Sequence, residues 1–222
     1  MTQKILRAVN LSKTFDGEQY LFQNLSLELK PRDLYFLKGK SGSGKTIFLK
    51  SLTMLTEVQS GQVFWGGEEI EQDSIPLYRS EVHFLGQSPT TFQGTVLEFF
   101  KHPWTFEINK KKVWDLDKIK SYLEALGFSE VFLDKRVPFL SGGEKQLIKL
   151  LRSLLLDPKG LLLDEPTSSM DDEMRKKVED FLLKLQKELS LFILWVSHNS
   201  DHFSLYSQKT IHFPSFKQEE IT

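Results

Sequence analysis

The chain has 222 residues, 40% hydrophobic and 27% charged, with a formal net charge of −1 and no cysteine. That length can bury one large core, or a core with a smaller lobe, and the near-neutral balance leaves no electrostatic footprint for nucleic acid or an anionic membrane surface. Lack of cysteine excludes disulfide scaffolds and thiolate metal sites and agrees with a cytoplasmic setting; no apolar stretch approaches the ~20 residues that span a bilayer and residues 1–10 lack a signal-peptide core, so any membrane link is expected to run through a partner chain.

In chain order, residues 5–9 and 21–29 read as strands, the second alternating through Leu25, Leu27 and Leu29, with a turn at Phe15-Asp16-Gly17 between them. Residues 34–37 are an apolar run of buried-strand length. They lead into Gly39-Lys40-Ser41-Gly42-Ser43-Gly44-Lys45-Thr46, which fits the phosphate-binding pattern G-x-x-x-x-G-K-[ST], and Ile47, Phe48, Leu52 and Leu55 follow at helical spacing. The context matters as much as the pattern. Glycines let the backbone wrap an anion with its N–H groups turned inward, and the helix presents its positive end to the same spot. Lys45 adds a full charge, and the Thr46 hydroxyl is placed to ligate Mg²⁺.

Residues 62–65 followed by Gly66-Gly67 predict a strand entering a hairpin, and 82–86 a further strand ending at Gln87. Between 88 and 140, Pro89, Pro103 and Pro138 interrupt an aromatic-rich stretch. Within it, 115–126 is an amphipathic helix with Leu116, Ile119, Leu123 and Leu126 on one side. This stretch is expected to be a helical lobe inserted into an α/β core made of 1–87 and 141–222. Ser141 caps a helix running to about 156, where Asp157-Pro158 stops it. Residues 161–163 are a short buried strand delivering Asp164 and Glu165. A helix at 171–189 buries Val178, Phe181, Leu182, Leu185 and Leu189, and 191–196 is a strand ending at Ser197-His198. A last helix, a strand at 209–213 and a loosely held polar tail complete the chain. Alternating strands and helices imply an α/β fold, a mostly parallel sheet with helices on both faces.

In such folds, sites form at strand carboxyl ends. There Asp164 can hold the water shell of Mg²⁺, and Glu165 can orient or deprotonate an attacking water; paired acids at a strand end are otherwise a solvated turn. Leu140-Ser141-Gly142-Gly143-Glu144-Lys145-Gln146 is a second anion-binding feature, offering a hydroxyl, backbone donors and a helix dipole. Ser141 and Glu144 also fit an ordinary capping box, although glycine at the first helical positions is costly for a mere cap.

Together these motifs resemble the ATP-binding-cassette (ABC) ATPases over almost the whole chain. Residues 140–146 match the family signature and 161–165 the Walker B strand. Ser168-Ser169-Met170-Asp171 matches the D-loop, with Ser169-Met170 where Ala-Leu is commoner, while Gln87 matches the Q-loop glutamine and His198 the switch histidine. The resemblance implies a P-loop NTPase with an N-terminal antiparallel β part and an inserted α-helical subdomain, hydrolysing ATP with Mg²⁺. It implies an ATP-dependent head-to-tail homodimer. Ser141, Gly142 and Gly143 of one copy would close over the γ-phosphate held by Gly39, Ser41, Gly42, Ser43, Gly44, Lys45 and Thr46 of the other. Thr46, Asp164 and Gln87 would meet the metal, Gln87 also the attacking water, Glu165 would act as base, His198 would touch the γ-phosphate, and Asp171 would work across the dimer. Phe15 sits where the family stacks an aromatic on adenine, with Tyr20 the competing candidate. Two departures stand out: Leu147 replaces the arginine many members carry after the signature glutamine, which puts a surface contact in doubt, and Ile47 replaces a second hydroxyl.

The family further implies a transmembrane permease as partner, with this chain cytoplasmic and peripheral on the inner face of the cell membrane. A groove beside Gln87 would receive short helices of that permease. Phe92, Phe99, Phe100, Trp104 and Phe106 are its candidate lining, the alternative being that they fill the lobe's core. The runs Leu77-Tyr78-Arg79, Gln87-Ser88-Pro89-Thr90-Thr91-Phe92, Gly94-Thr95-Val96, Pro103-Trp104 and Leu194-Trp195-Val196-Ser197-His198 are similar to small ATPase subunits of bacterial iron-export and plant aluminium-resistance transporters, implying metal homeostasis. The competing function is a soluble ABC-type ATPase acting on DNA or ribosomes. Near-neutral charge and the lack of coiled coils, zinc modules or a second cassette argue against it. A nucleotide sensor without turnover is disfavoured because Lys45, Glu165 and His198 are all present. His83, His102, His202 and His212 show no ligand spacing.

Overall fold

A computed structural model describes residues 4–15, 17, 19–88, 90–196 and 209–214. The chain opens with an antiparallel pair, β1 (Leu6–Thr14) and β2 (Tyr20–Leu29), and continues through β3 (Leu34–Lys38), α1 (Lys45–Leu52), β4 (Ser60–Trp65), β5 (Glu68–Glu69), α2 (Ile75–Glu81) and β6 (Val82–Leu85). The helices α3 (Val96–Lys101) and α4 (Leu116–Ala125), with several single 3₁₀ turns, occupy the interval that follows. The remainder is α5 (Gly142–Leu154), β7 (Gly160–Asp164), α6 (Asp172–Glu188), β8 (Phe192–Val196) and β9 (Lys209–His212).

Two sheets result. β6, β7, β8, β3 and β9 lie side by side in that order, every pair parallel, and β2, β1, β4 and β5 form an antiparallel sheet. The strands β7 and β8 are buried throughout, as a parallel sheet covered on both faces requires. Their side chains alternate between two cores. Leu34, Phe36, Leu161, Leu163, Ile193 and Trp195 pack with α5 and α6 on one side. Tyr35, Leu37, Leu162, Leu194 and Val196 pack on the other with α1 and with the inward residues of the antiparallel sheet. Gly66 and Gly67, with φ of +64° and +94°, turn β4 into β5 in the backbone region that a two-residue hairpin needs.

The 88–140 interval shares the first core. Phe99, Phe100, Ile119 and Leu123 are buried with Leu147, Ile148 and Leu151 of α5. Although α3 is short, Thr95 and Glu98 form a capping box at its start.

Several expectations need correction. β1 runs on to Thr14 because register shifts along both of its pairings hide its alternation from the sequence. Leu116 is 38% exposed, so Tyr122 replaces it on the buried face of α4, its ring 5.1 Å from Phe181. α5 ends at Leu154, before the predicted 156, because Asp157 already lies in the left-handed region at φ 50°. The expected helix near 199–208 and the polar tail lie outside the described residues.

Candidate nucleotide site

Parallel register sets the site. Leu37 of β3 pairs with Val196 of β8, and Val196 with Asp164 of β7, so the phosphate-binding loop and the two acids leave the sheet along one edge. Between β3 and α1 the chain passes through Gly42 (φ +71°) and Gly44 (φ +99°). At Gly44 a side chain would be strained by the backbone and would press Cβ of Leu21 at 3.4 Å. Gly39 is small for a different reason: a Cβ there would sit 3.0 Å from Cβ of Phe213, just beyond β9.

Lys45 is 6% exposed, and its ammonium donates to the carbonyls of Gly39 at 2.8 Å and Lys40 at 2.7 Å. Burial lowers its pKa, opposed by the nearby charges of Asp164 and Glu165. Oγ1 of Thr46 donates to Oδ2 of Asp164 at 2.7 Å, and Asp164 is itself buried. Oγ of Ser43 is buried with no hydrogen-bond partner among the described residues, an orphaned polar atom inside the loop.

Glu165 adopts φ 52°, unusual for a residue with a side chain, and its N–H donates to the carbonyl of Val196 at 3.0 Å. Such strain costs on the order of 1 kcal/mol and concentrates at functional sites. Ser41, Gly42, Gly44, Lys45 and Thr46 of the loop, both acids, Phe15 and Gln87 line one cavity of about 620 Å³, whose described lining does not include Gly39 or Ser43. Phe15 is 80% exposed at its edge, whereas Tyr20 is absent from the described lining. Gln87 is exposed as well. Ile47 fills part of the wall, where a hydroxyl would have offered one more oxygen.

The donor set suits Mg²⁺. Thr46 and Asp164 present hard oxygens in contact, the one or two protein ligands this ion commonly takes beside waters and phosphate oxygens. No group of three or more His, Cys, Asp or Glu able to hold a metal occurs among the described residues.

Ser141, Gly142, Gly143 and Asp171 are not among the described residues lining that cavity. The Ser141 hydroxyl accepts from the N–H of Glu144 at 3.1 Å while Glu144 accepts from the N–H of Ser141 at 2.8 Å, so the ordinary capping box is present. An acceptor hydroxyl still has its proton to donate. The glycines have a packing reason: a Cβ on Gly143 would lie 3.0 Å from the carbonyl oxygen of Ser169, and one on Gly142 3.3 Å from Cβ of Ser169. Gln146 ties the same segment, accepting from the N–H of Ser169 and donating to Oγ of Ser168, both at 3.0 Å. Asp171 caps α6 through the N–H of Met174 at 2.8 Å. Leu147 is fully buried, so in this chain the position belongs to the core and makes no surface contact.

Beside Gln87 lies a second cavity of about 950 Å³. Of the five candidate rings Phe92, Phe99 and Phe106 line it, while Phe100 is buried in the core and Trp104 donates to the carbonyl of Lys112, so the groove reading holds for part of the set and the core reading for the rest. Five basic residues, Arg79, His83, His102, Lys149 and Arg152, complete the lining without an Asp or Glu. Sequence reasoning missed Lys149, whose only signal is a charge inside the run Leu147-Ile148-Lys149-Leu150-Leu151. His198 lies outside the described residues.

A glycine-rich loop between a parallel strand and a helix, with its threonine bonded to an acid on another strand of the same sheet, defines a P-loop nucleotide-binding protein. Residues 22–168 match the ABC transporter family, and the chain belongs to that family. It is 31% identical over 188 residues to "Probable iron export ATP-binding protein FetA" of Escherichia coli (strain K12), covering 85% of this chain and 82% of that one. It is 32% identical over 219 residues to "Spermidine/putrescine import ATP-binding protein PotA" of Clostridium novyi (strain NT), covering 95% of this chain but 60% of the relative. Its fold is similar to that of the ATP-binding cassette MJ0796 in a dimeric post-hydrolysis state bound to ADP and Pi, with a TM-score of 0.81, 23% identity, and 95% and 94% of the two chains covered. It is also similar to cbiO1 of Clostridium perfringens, part of the transporter complex cbiONQ, with a TM-score of 0.80, 21% identity, and 96% and 86% covered.

Proposed function

We propose that this chain, an ATP-binding and ATP-hydrolysing subunit of an ABC transporter, takes ATP into the 620 Å³ cavity and cleaves it with its own residues in the following roles. The single observation that carries the assignment is the convergence of Lys45, Thr46, Asp164 and Glu165 on that cavity. On binding, the Lys45 ammonium exchanges two backbone carbonyls for phosphate oxygens, and the Ser43 hydroxyl gains the partner it lacks. Phe15 stacks on adenine. Thr46 and Asp164 hold Mg²⁺, assisted by Gln87; when bound, the ion neutralises charge on the phosphate oxygens. Gln87 orients the attacking water and Glu165 takes its proton, the left-handed backbone at Glu165 keeping the carboxylate directed at the cavity.

Each site is completed by a second copy in an ATP-dependent head-to-tail pair. Exposed Ser141, with Gly142 and Gly143, donates to the γ-phosphate in the neighbour's cavity, and Asp171 acts across the same interface. Such an arrangement is two-fold symmetric. Residues 88–140 act as a helical subdomain, and the groove beside Gln87 receives a permease segment. The cations Arg79, Lys149 and Arg152, with no carboxylate in the described lining, favour a segment carrying Asp or Glu among apolar side chains. No described helix is long and apolar enough to cross a membrane, so the permease provides the contact at the inner membrane face. Metal export as the task is supported by the FetA likeness, which spans most of both chains.

The test is Glu165→Gln. Hydrolysis should slow by roughly 10² to 10⁴, the worth of a general base, while ATP binding persists and a dimer accumulates in light scattering. Turnover at the parental rate would remove Glu165 from its role.

A further inference from the structure

We propose that Lys149 is a positioning residue that holds Gln87 at the nucleotide cavity. Its ammonium, on α5, donates to the carbonyl of Gly86 at 2.7 Å and to that of Ser88 at 2.7 Å, the residues on either side of Gln87. Two bonds from one ammonium hold the peptide that enters Gln87 and the one that leaves Ser88, bracketing a side chain that is itself exposed in the cavity. The anchor does not yield: Leu147, Ile148, Leu150 and Leu151 around Lys149 on α5 are all buried. Burial and the adjacent Arg152 guanidinium lower the lysine's pKa, so the pair of carbonyls also stabilises its charge. Lys149 faces the basic groove with its remaining surface, placing one residue in contact with both the segment that carries Gln87 and the space beside it.

The proposal rests on the role assigned to Gln87 above. Lys149→Met keeps the aliphatic stem and removes the donors. We expect its kcat to fall roughly 10-fold, within the ~10²-fold that a 1 Å misplacement costs, with KM for ATP nearly unchanged. Amide exchange in a peptide covering residues 85–92 should quicken, and Lys149→Arg, which restores charge and donors, should recover turnover. In the Gln87→Ala background Lys149→Met should cost nothing further. Lys149→Ala, which favours the helix, supplies a second variant should the methionine form not fold. Losses that multiply in the double variant, or parental exchange in residues 85–92 of Lys149→Met, would overturn the proposal alone. Parental turnover in Gln87→Ala would overturn the role of Gln87, and the proposal with it.

Discussion

Acidification should weaken this fold through His83, and the size of the effect follows from its surroundings. Nδ1 lies 2.7 Å from Oγ of Ser153 and Nε2 3.3 Å from the carbonyl of Ser80. Burial, with the nearby charges of Lys112 and Arg152, brings its pKa from 6.5 down to about 4. The unfolded chain takes up this proton near pH 6.5 and the folded chain only near 4, so stability is lost as pH falls through that window. At ~1.4 kcal/mol per unit the full displacement is worth about 3 kcal/mol, and most of it, about 2 kcal/mol, is gone by pH 5. Some ring surface remains open to the groove, which trims this figure. The assay is urea unfolding of the parental chain and of His83→Gln at pH 7 and pH 5. Carboxylates titrate alike in both, so their difference isolates the histidine. The parental chain should lose about 1 to 2 kcal/mol more than the variant between the two pH values. An equal loss in both would show that His83 binds its proton as readily in the folded state, refuting the burial argument.

For Ser141→Arg, nucleotide affinity measured by calorimetry should match the parental value while ATP-induced dimerisation in light scattering fails; persisting dimers would remove the second cradle from the interface. Phe15→Ala should weaken ATP binding by about 1 to 3 kcal/mol, the worth of base stacking on an aromatic side chain, and unchanged affinity would return Tyr20 to consideration.

The phosphate loop was legible because its chemistry is local: the glycines that must take positive φ, Gly42 and Gly44, and the lysine that follows them, Lys45, all fall within residues 42–45. The carboxylates at 164 and 165 were legible for a related reason, since an unbroken apolar strand announces where it ends. What lay beyond reach depends on residues distant in sequence. The Lys149 contacts with 86 and 88 span more than sixty positions, and a lone lysine in an apolar run reads equally as a solvated face. Core and groove aromatics are indistinguishable by spacing, so the sequence leaves both readings open for all five rings, and only the structure separates Phe100 and Trp104 from Phe92, Phe99 and Phe106. Leu147 cast doubt on a surface contact, and its burial agrees, although a departure from a family pattern says nothing about which way the side chain points.

The absence of a Cβ at Gly143 lets the start of α5 touch the backbone after Glu165, and the Gln146 amide bolts the two together. A contact made at the start of α5 therefore bears on the turn that leads back to Glu165, so the outer surface and the cavity share one piece of framework.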